Sequence, residues 1–458
     1  MDLHKSGLSA EDSLANTGAE MSRVVGISLI GCGTVGEQVV RILLDADGSL
    51  AGRTGLKFEI RHVVVRDPAK KRGVTIPSAM ITADASAPLT DPKSEIMVEL
   101  MGGTDEAKRV TLAALAAGKS VVTANKALLA MHGREVFSAA RLGNQCVAFE
   151  ASVAGGIPLI ESVRRGLIGN RIDAVYGILN GTCNYILTRM LDNSASYPHA
   201  LDEAQRLGYA EADPTLDVDG IDSAHKLSIL ASIAMRQSCD LDRIAVAGIS
   251  DIELLDLTSG RELGYACKLL AIARRIGDGI DLSVRPTFVR HAHPLASVSG
   301  PFNAISLYGD AVGHVMLYGR GAGGAPTASA VVSDIVDVAL GNARRTFDQL
   351  TVLPDQTPAA VYSSPGENIS AYYLRISLRD RPGSVGKVAT VLGAEGISIA
   401  SLIQHEPDAA LGNGSVPVII TTRPARQAAM SQALDAMANL EAVACRPICI
   451  PLLEEVGD

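Results

Sequence analysis

From residue 24 onward, short apolar runs alternate with apolar positions at helical spacing. Residues 24–30 (VVGISLI) are almost continuously apolar, as in a strand buried on both faces. The glycine-rich GCGTVG follows at 31–36, then a helical pattern through Val39, Val40, Leu43 and Leu44. Further strands are predicted at 58–65, 96–101 and 120–124, and helices at 105–117 and 127–141. This alternation predicts an α/β protein with a Rossmann-type doubly wound parallel sheet. Ligands of such sheets sit beyond the carboxyl ends of the strands. A strand at 175–179 runs into Asn180-Gly-Thr-Cys-Asn184 and another helix, and an apolar helix carries Lys226. Residues 346–368 hold Pro354, Pro358 and Pro365 among Ser, Thr and Gln, and predict a linker. Beyond it, strands at 372–378, 397–403, 416–421 and about 442–450, with helices at 387–395 and 425–437, give a βαββαβ, ferredoxin-like order.

Composition narrows the class. The chain has 458 residues, 47% hydrophobic, enough for two or three domains with large cores. A net charge of -9 argues against a nucleic-acid partner, which would want a basic surface. No apolar run reaches the length of about 18 residues that a membrane span needs. Residues 1–21 are polar, lack the apolar core of a signal peptide, and are expected to be a disordered tail. Seven scattered cysteines, an odd number, point to reduced thiols and a cytoplasmic location.

The chemistry-bearing residues fall at predicted strand ends and turns. Gly31 permits the tight turn, Gly33 lets the backbone approach a pyrophosphate, and Gly36 lets the helix pack on the strand. The helix N-terminus offers amide donors to the anion. Arg66 follows the second strand, with Lys70, Lys71 and Arg72 close behind. That favours the 2′-phosphate of NADP(H), while Asp67 leaves NAD(H) open. Lys126 lies at another strand end, where a lysine can face nicotinamide or a substrate carbonyl; a surface lysine is the alternative. Glu150 precedes the turn Ala151-Ser-Val-Ala-Gly-Gly-Ile-Pro158, which can offer a carboxylate and outward carbonyls to a hard cation or serve as a plain crossover. Most distinctive is the stretch from Gly208 to Lys226. Glu211, Asp213, Asp217, Asp219 and Asp222 crowd together and then give way to an apolar helix. Asp222 and Lys226 are four apart and share a helix face, as a charged general-acid lysine and its partner would, or as a capped helix with a surface ion pair would.

Taken together, GCGTVG, TANKALL (123–129), EASVAGGIP (150–158), GILNGTCNYIL (177–187), EAQRLGYAEADPTLDVDGIDSAHKL (203–227) and GRGAGGAPTASAV (319–331) closely resemble homoserine dehydrogenase. The likeness runs from about residue 23 to 339. It implies NAD(P)H-dependent, reversible reduction of L-aspartate 4-semialdehyde to L-homoserine. It implies Lys226 as general acid/base with Asp222 as its partner, and Lys126 beside both cofactor and substrate. Glu211 and Asp217 match substrate-binding positions. Gly31, Gly33, Thr34, Val35 and Gly36 of the fingerprint and Gly323 of the second glycine-rich turn match cofactor-binding ones, and Arg66 joins them from its place after the second strand. Glu150, with the backbone of Val153, Gly155 and Ile157, matches a monovalent cation loop for sodium or potassium. The C-terminal module, with DRPG at 380–383, resembles an ACT domain. L-threonine is then the expected effector, with Asp380 and Gly383 as the positions to test, and the protein is expected to be a homo-oligomer, dimer or tetramer.

The implied organisation is a dinucleotide-binding domain (22–150 plus about 320–345), an α+β catalytic and dimerisation domain (151–319), the linker, and the ACT domain (369–452), with no added kinase domain. Two rivals remain. An aspartate-semialdehyde dehydrogenase would need an activated cysteine, and none is recognisable here. A non-enzymatic sensor on the same scaffold would need neither Lys126 nor Lys226.

Overall fold

The computed structural model describes residues 23–44, 48–404 and 415–453. The expected N-terminal tail lies outside these residues. The first layer is a six-stranded sheet of β1 (Arg23–Ile30), β2 (Leu56–Val64), β3 (Ile81–Thr82), β4 (Ile96–Glu99), β5 (Ser120–Thr123) and β6 (Val147–Ala148). All neighbours pair in parallel, in the order β3-β2-β1-β4-β5-β6. The last six residues of β1 and all four of β4 are buried, which explains why both stretches are apolar apart from Ser28 and Glu99. Chain direction across the sheet reverses between β1 and β4, and a crevice opens beyond their carboxyl ends. The chain returns to this layer late. The helix Gly324–Ala339 packs Ala328, Val331, Val332 and Ile335 into the same core as Val39 and Val40 of the helix Thr34–Leu43.

The second layer is antiparallel over most of its width. It contains β7 (Ile172–Ile178), the long hairpin β9 (Tyr265–Ile276) and β10 (Gly279–Arg290), β11 (Phe302–Gly309) and β12 (Gly313–Arg320); a short β8 (Ala245–Val246) pairs with β10. The helices Gly181–Asp192, Ile221–Ala234 and Leu254–Glu262 pack against this sheet.

The C-terminal module holds β13 (Ile369–Arg379), β14 (Ile399–Gln404), β15 (Ser415–Thr422), a two-residue β16 (Ala425–Arg426) and β17 (Ile448–Leu453), with helices Ser384–Ala394 and Gln427–Ala438. Two features differ from expectation. The last strand lies six residues later than its apolar stretch suggested. Val443 makes only an isolated bridge to Leu378, and Pro447, which has no N–H to donate, stands just before β17. That strand also pairs in parallel with β10, through Phe288–Leu452 and Val289–Leu453. Middle layer and C-terminal module therefore share one sheet, in the order β12-β11-β7-β9-β10-β17-β13-β15-β14.

The stretch expected as a linker is also packed. Residues Asn342–Gln349 are helical, Val352 and Leu353 are buried, and Ala359 and Tyr362 bridge to Ser238 and Ile280. Arg141 stacks over Phe347 and pairs with Asp355 at 2.5 Å. A buried acid fastens the module a second time. Asp256, fully enclosed, accepts from the Tyr373 hydroxyl at 3.0 Å and from Arg375 Nε at 2.9 Å. No helix among the described residues is long and apolar enough to cross a membrane.

Candidate active site

A cleft of about 620 Å³ lies between the first and second layers, at the crevice beyond β1 and β4. Its cofactor side is built by glycines with distinct steric duties. Gly31 sits at φ +97°, and a Cβ there would come 2.7 Å from the Leu100 carbonyl. A Cβ on Gly36 would meet the Gly31 carbonyl at 2.8 Å, whereas one on Gly33 would meet nothing, which leaves room for an approaching ligand. Thr34 and Val35 open the helix that follows, and Val35 lines the cleft. Gly323, at φ +118°, caps the returning helix on the opposite wall. Arg66 is exposed just past β2. Arg72 folds back instead, donating to the carbonyls of Lys70 (2.7 Å) and Asp67 (2.9 Å), with its charge beside the Cys32 thiol and its Nε without a hydrogen-bond partner among the described residues.

The substrate side is a cluster centred on Asp222, which is 6% exposed. Lys226, one helical turn on, donates to Asp222 Oδ2 at 2.7 Å and to the Leu179 carbonyl at 2.8 Å. Lys126, first residue of its own helix, reaches Asp222 Oδ1 at 2.9 Å. The carboxylate thus bridges two ammonium groups. Burial pushes the Asp222 carboxyl up, but the Lys226 and Lys126 charges outweigh burial and hold it well below the usual range. Asp222's charge in turn raises Lys126, against the opposing effect of burial. A helix N-terminus by itself disfavours a cation, but here a buried anion sits beside Lys126.

Asn180 orders the acids. Its Nδ2 donates to Asp217 Oδ1 at 2.7 Å and Asp222 Oδ2 at 3.0 Å, while its Oδ1 caps the next helix by accepting from Cys183 N at 2.8 Å. Burial, then the neighbouring Asp222 charge, raise the Asp217 carboxyl. Glu211 lines the cleft from an exposed position. His225, also on the wall, is held below its ordinary value by burial. No cysteine lines the cleft, and Cys183 lies behind it with Sγ 3.2 Å from the Asp217 carbonyl.

Behind the cofactor wall, Glu150 is buried and both carboxylate oxygens accept amides, from Ile160 at 2.9 Å and Glu161 at 2.8 Å. The turn from Val153 to Ile157 carries Ala154 at φ +52°, a left-handed conformation that a non-glycine residue rarely adopts. It is pinned to the second glycine turn by Gly155 N to Gly321 O (2.9 Å) and Gly156 N to Arg320 O (3.0 Å). Among the described residues the carbonyls of Val153 and Gly155 accept no hydrogen bond, whereas that of Ile157 accepts Leu159 N. Asp334 is half-buried beside Glu150, accepting its amide at 2.9 Å; the loss of solvent around it and then the Glu150 charge push Asp334 well up.

The structure therefore gathers Lys126, Glu211, Asp217, Asp222 and Lys226 around one cleft, with Val35 and Gly323 on the same walls. Asp380 and Gly383 stand elsewhere, in the turn between β13 and the helix Ser384–Ala394, where Gly383 caps the helix at φ +87°. Sequence reading gave no role to Asn180, Asp334 or the Leu179 carbonyl. Asn180 alone carried a signal, as an asparagine immediately before a helix.

Comparison with known proteins agrees with this architecture. A homoserine dehydrogenase family model matches residues 158–336, the homoserine dehydrogenase NAD-binding domain matches 31–150, and an ACT domain matches 372–439. Homoserine dehydrogenase of Pseudomonas aeruginosa is 43% identical over 92% of this chain and 96% of its own length. That of Neisseria gonorrhoeae is 38% identical over 95% and 99%. The crystal structure of a Thiobacillus denitrificans homoserine dehydrogenase superposes with a TM-score of 0.86 at 38% identity, covering 95% of this chain and 99% of that one. A hyperthermophilic archaeal homoserine dehydrogenase in complex with NADPH superposes at 0.57 with 26% identity, over 69% and 98%.

Proposed function

The chain belongs to the homoserine dehydrogenase family, and from that premise we propose that the Lys126–Asp222–Lys226 cluster carries the proton chemistry of reducing L-aspartate 4-semialdehyde to L-homoserine. The observation behind this is the shared buried carboxylate, which pairs with two ammonium groups at one wall of the cleft. When bound, the reduced nicotinamide supplies a hydride to the aldehyde carbon. Negative charge then develops on the aldehyde oxygen. An ammonium has three donors, and Lys226 uses two of them, on Asp222 and Leu179. The third is left for the substrate oxygen, so Lys226 delivers the proton that completes the alcohol. Lys126 adds positive charge beside the same oxygen. Asp217 and Glu211 hold the substrate ammonium. In the reverse direction Lys226 takes the proton back. Asp222 does not titrate in this cycle; its depressed carboxyl keeps it anionic.

We assign NADP(H) as the preferred cofactor, with NAD(H) usable. The archaeal relative holds NADPH. In this chain the edge of β2 offers exposed Arg66, and Arg72 close by has an unpartnered buried nitrogen. Arg66→Asp is expected to lower the NADPH-over-NADH ratio in kcat/KM by about tenfold to a hundredfold, the worth of one hydrogen bond to a charged phosphate. An unchanged ratio would remove Arg66 from the cofactor site.

A monovalent cation fits the turn after Glu150. Two acids, buried Glu150 and half-buried Asp334, lie together, and the Val153 and Gly155 carbonyls have no other partner among the described residues. Glu150, Val153, Gly155 and Ile157 would hold the ion, which would brace the turn against the cofactor wall. For the ACT domain we propose L-threonine as an inhibitory effector acting at Asp380 and Gly383, in a homo-oligomer. L-threonine is expected to depress turnover, and Asp380→Ala to relieve that inhibition while leaving turnover without threonine unchanged. Equal inhibition of both proteins would place the effector elsewhere.

A further inference from the structure

The face of the shared sheet opposite the Lys226 helix holds a second cavity, of about 370 Å³, where the middle layer meets the ACT domain. Its lining includes Tyr176, Ile272 and Thr287 from β7, β9 and β10, and Ser370, Pro424 and Leu453 from the C-terminal module. Three arginines also line it, and they differ in how their charge is met. Arg275 donates to the carbonyls of Ile172 and Met235, both at 3.0 Å. Arg274 faces Asp281 across the hairpin at 3.4 Å. Asp173, the acid on the rim, is taken by Arg171 at 2.9 Å. The Arg285 side chain makes no ion pair or hydrogen bond among the described residues; it is half-buried, and its Nε is closed off from solvent. Burial accordingly pulls its guanidinium below the ordinary value. Ser283 Oγ, two residues earlier on the same face of β10 and outside the cavity lining, is buried and unpartnered among the described residues as well.

Most buried polar groups in folded proteins find partners, and a guanidinium nitrogen sealed from water without one is unfavourable. An unpaired guanidinium nitrogen in a cavity lined by three arginines and one aspartate describes a site that lacks its anion. A planar guanidinium matches a carboxylate in bidentate geometry. We propose that this junction is a ligand site, distinct from both the catalytic cleft and the Asp380 turn, that takes a small carboxylate anion on Arg285. Its walls come from β9 and β10 on one side and β13 and β17 on the other. A ligand there therefore braces the ACT domain against the catalytic layer.

The test uses the full-length protein and malonate as the probe. Crystals soaked in malonate are expected to show a carboxylate on Arg285. Calorimetry and ligand-dependent melting are expected to show binding that Arg285→Met weakens about tenfold or more, with turnover unchanged because Arg285 lies outside the catalytic cleft. Arg285→Lys, which keeps the charge and loses the fork, is expected to bind at an intermediate level and serves if the methionine variant does not fold. Four results would each overturn the proposal: ordered water alone on Arg285, malonate bound only at crystal concentration, a carboxylate from a second copy of the chain on Arg285, or variants that bind malonate as tightly as the parent.

Discussion

Replacing Lys226 with alanine is expected to lower kcat by about a hundredfold or more, the range for a lost general acid. KM for L-aspartate 4-semialdehyde should change far less, because Glu211 and Asp217 remain to hold its ammonium. The effect follows from the third Lys226 donor. Asp222 and the Leu179 carbonyl fix the other two, so the ammonium has one proton to give and a fixed direction in which to give it. Steady-state kinetics of the purified variant, with its fold checked by circular dichroism, decides the matter. Turnover at the parent rate would sink the assignment of Lys226. A loss confined to KM would make it a binding residue only.

The second large effect belongs to Asp222→Asn. An amide there can still accept hydrogen bonds, but it leaves two ammonium groups facing each other with no anion between them. Removing one partner of a buried ion pair costs about 3–5 kcal/mol, so a clear loss of thermal stability is expected, together with a fall in kcat of about a hundredfold. Dependence on pH separates the charge from the shape. The Asp222 carboxyl is depressed in the fold, so its contribution is fully present above the unfolded carboxylate value of about 3.9 and is lost as pH falls through the lower folded value. Lys126 is raised, so its share is present below an unfolded value of about 10.4 and is lost only as pH climbs through the higher folded value. The stability gap between parent and variant should therefore stay flat through neutral pH and narrow below about pH 4. A gap already closing near neutrality would mean that Asp222 is not held as an anion.

Much of this site was legible in the sequence because its residues have local jobs. Gly31 and Gly36 are required by steric contacts within the turn they form, so their spacing betrays them. Asp222 and Lys226 meet because they are one helical turn apart, and the change from an acidic loop to an apolar helix marks the place. What stayed hidden depends on contacts between distant segments. Lys126 meets Asp222 only once two layers pack together. Asn180 caps its own helix, a visible role, yet its contacts to Asp217 and Asp222 span 37 and 42 residues. Apolar content alone could not place the last strand, since Pro447 interrupts the pairing begun at Val443. The sheet shared by β10 and β17 rests on two residue pairs separated by more than half the length of the middle layer, and no local pattern signals it. The arginines around the second cavity carried no signal for the same reason: Arg274, Arg275 and Arg285 come together with the C-terminal module only in the folded chain.

The most direct measurement is consumption of NADPH by the full-length protein supplied with L-aspartate 4-semialdehyde and sodium or potassium, with the product identified as L-homoserine. Turnover that yields L-homoserine, and that collapses in Lys226→Ala, is the predicted result. Folded protein that consumes neither NADPH nor NADH under these conditions would contradict the account and favour a sensor built on the same scaffold.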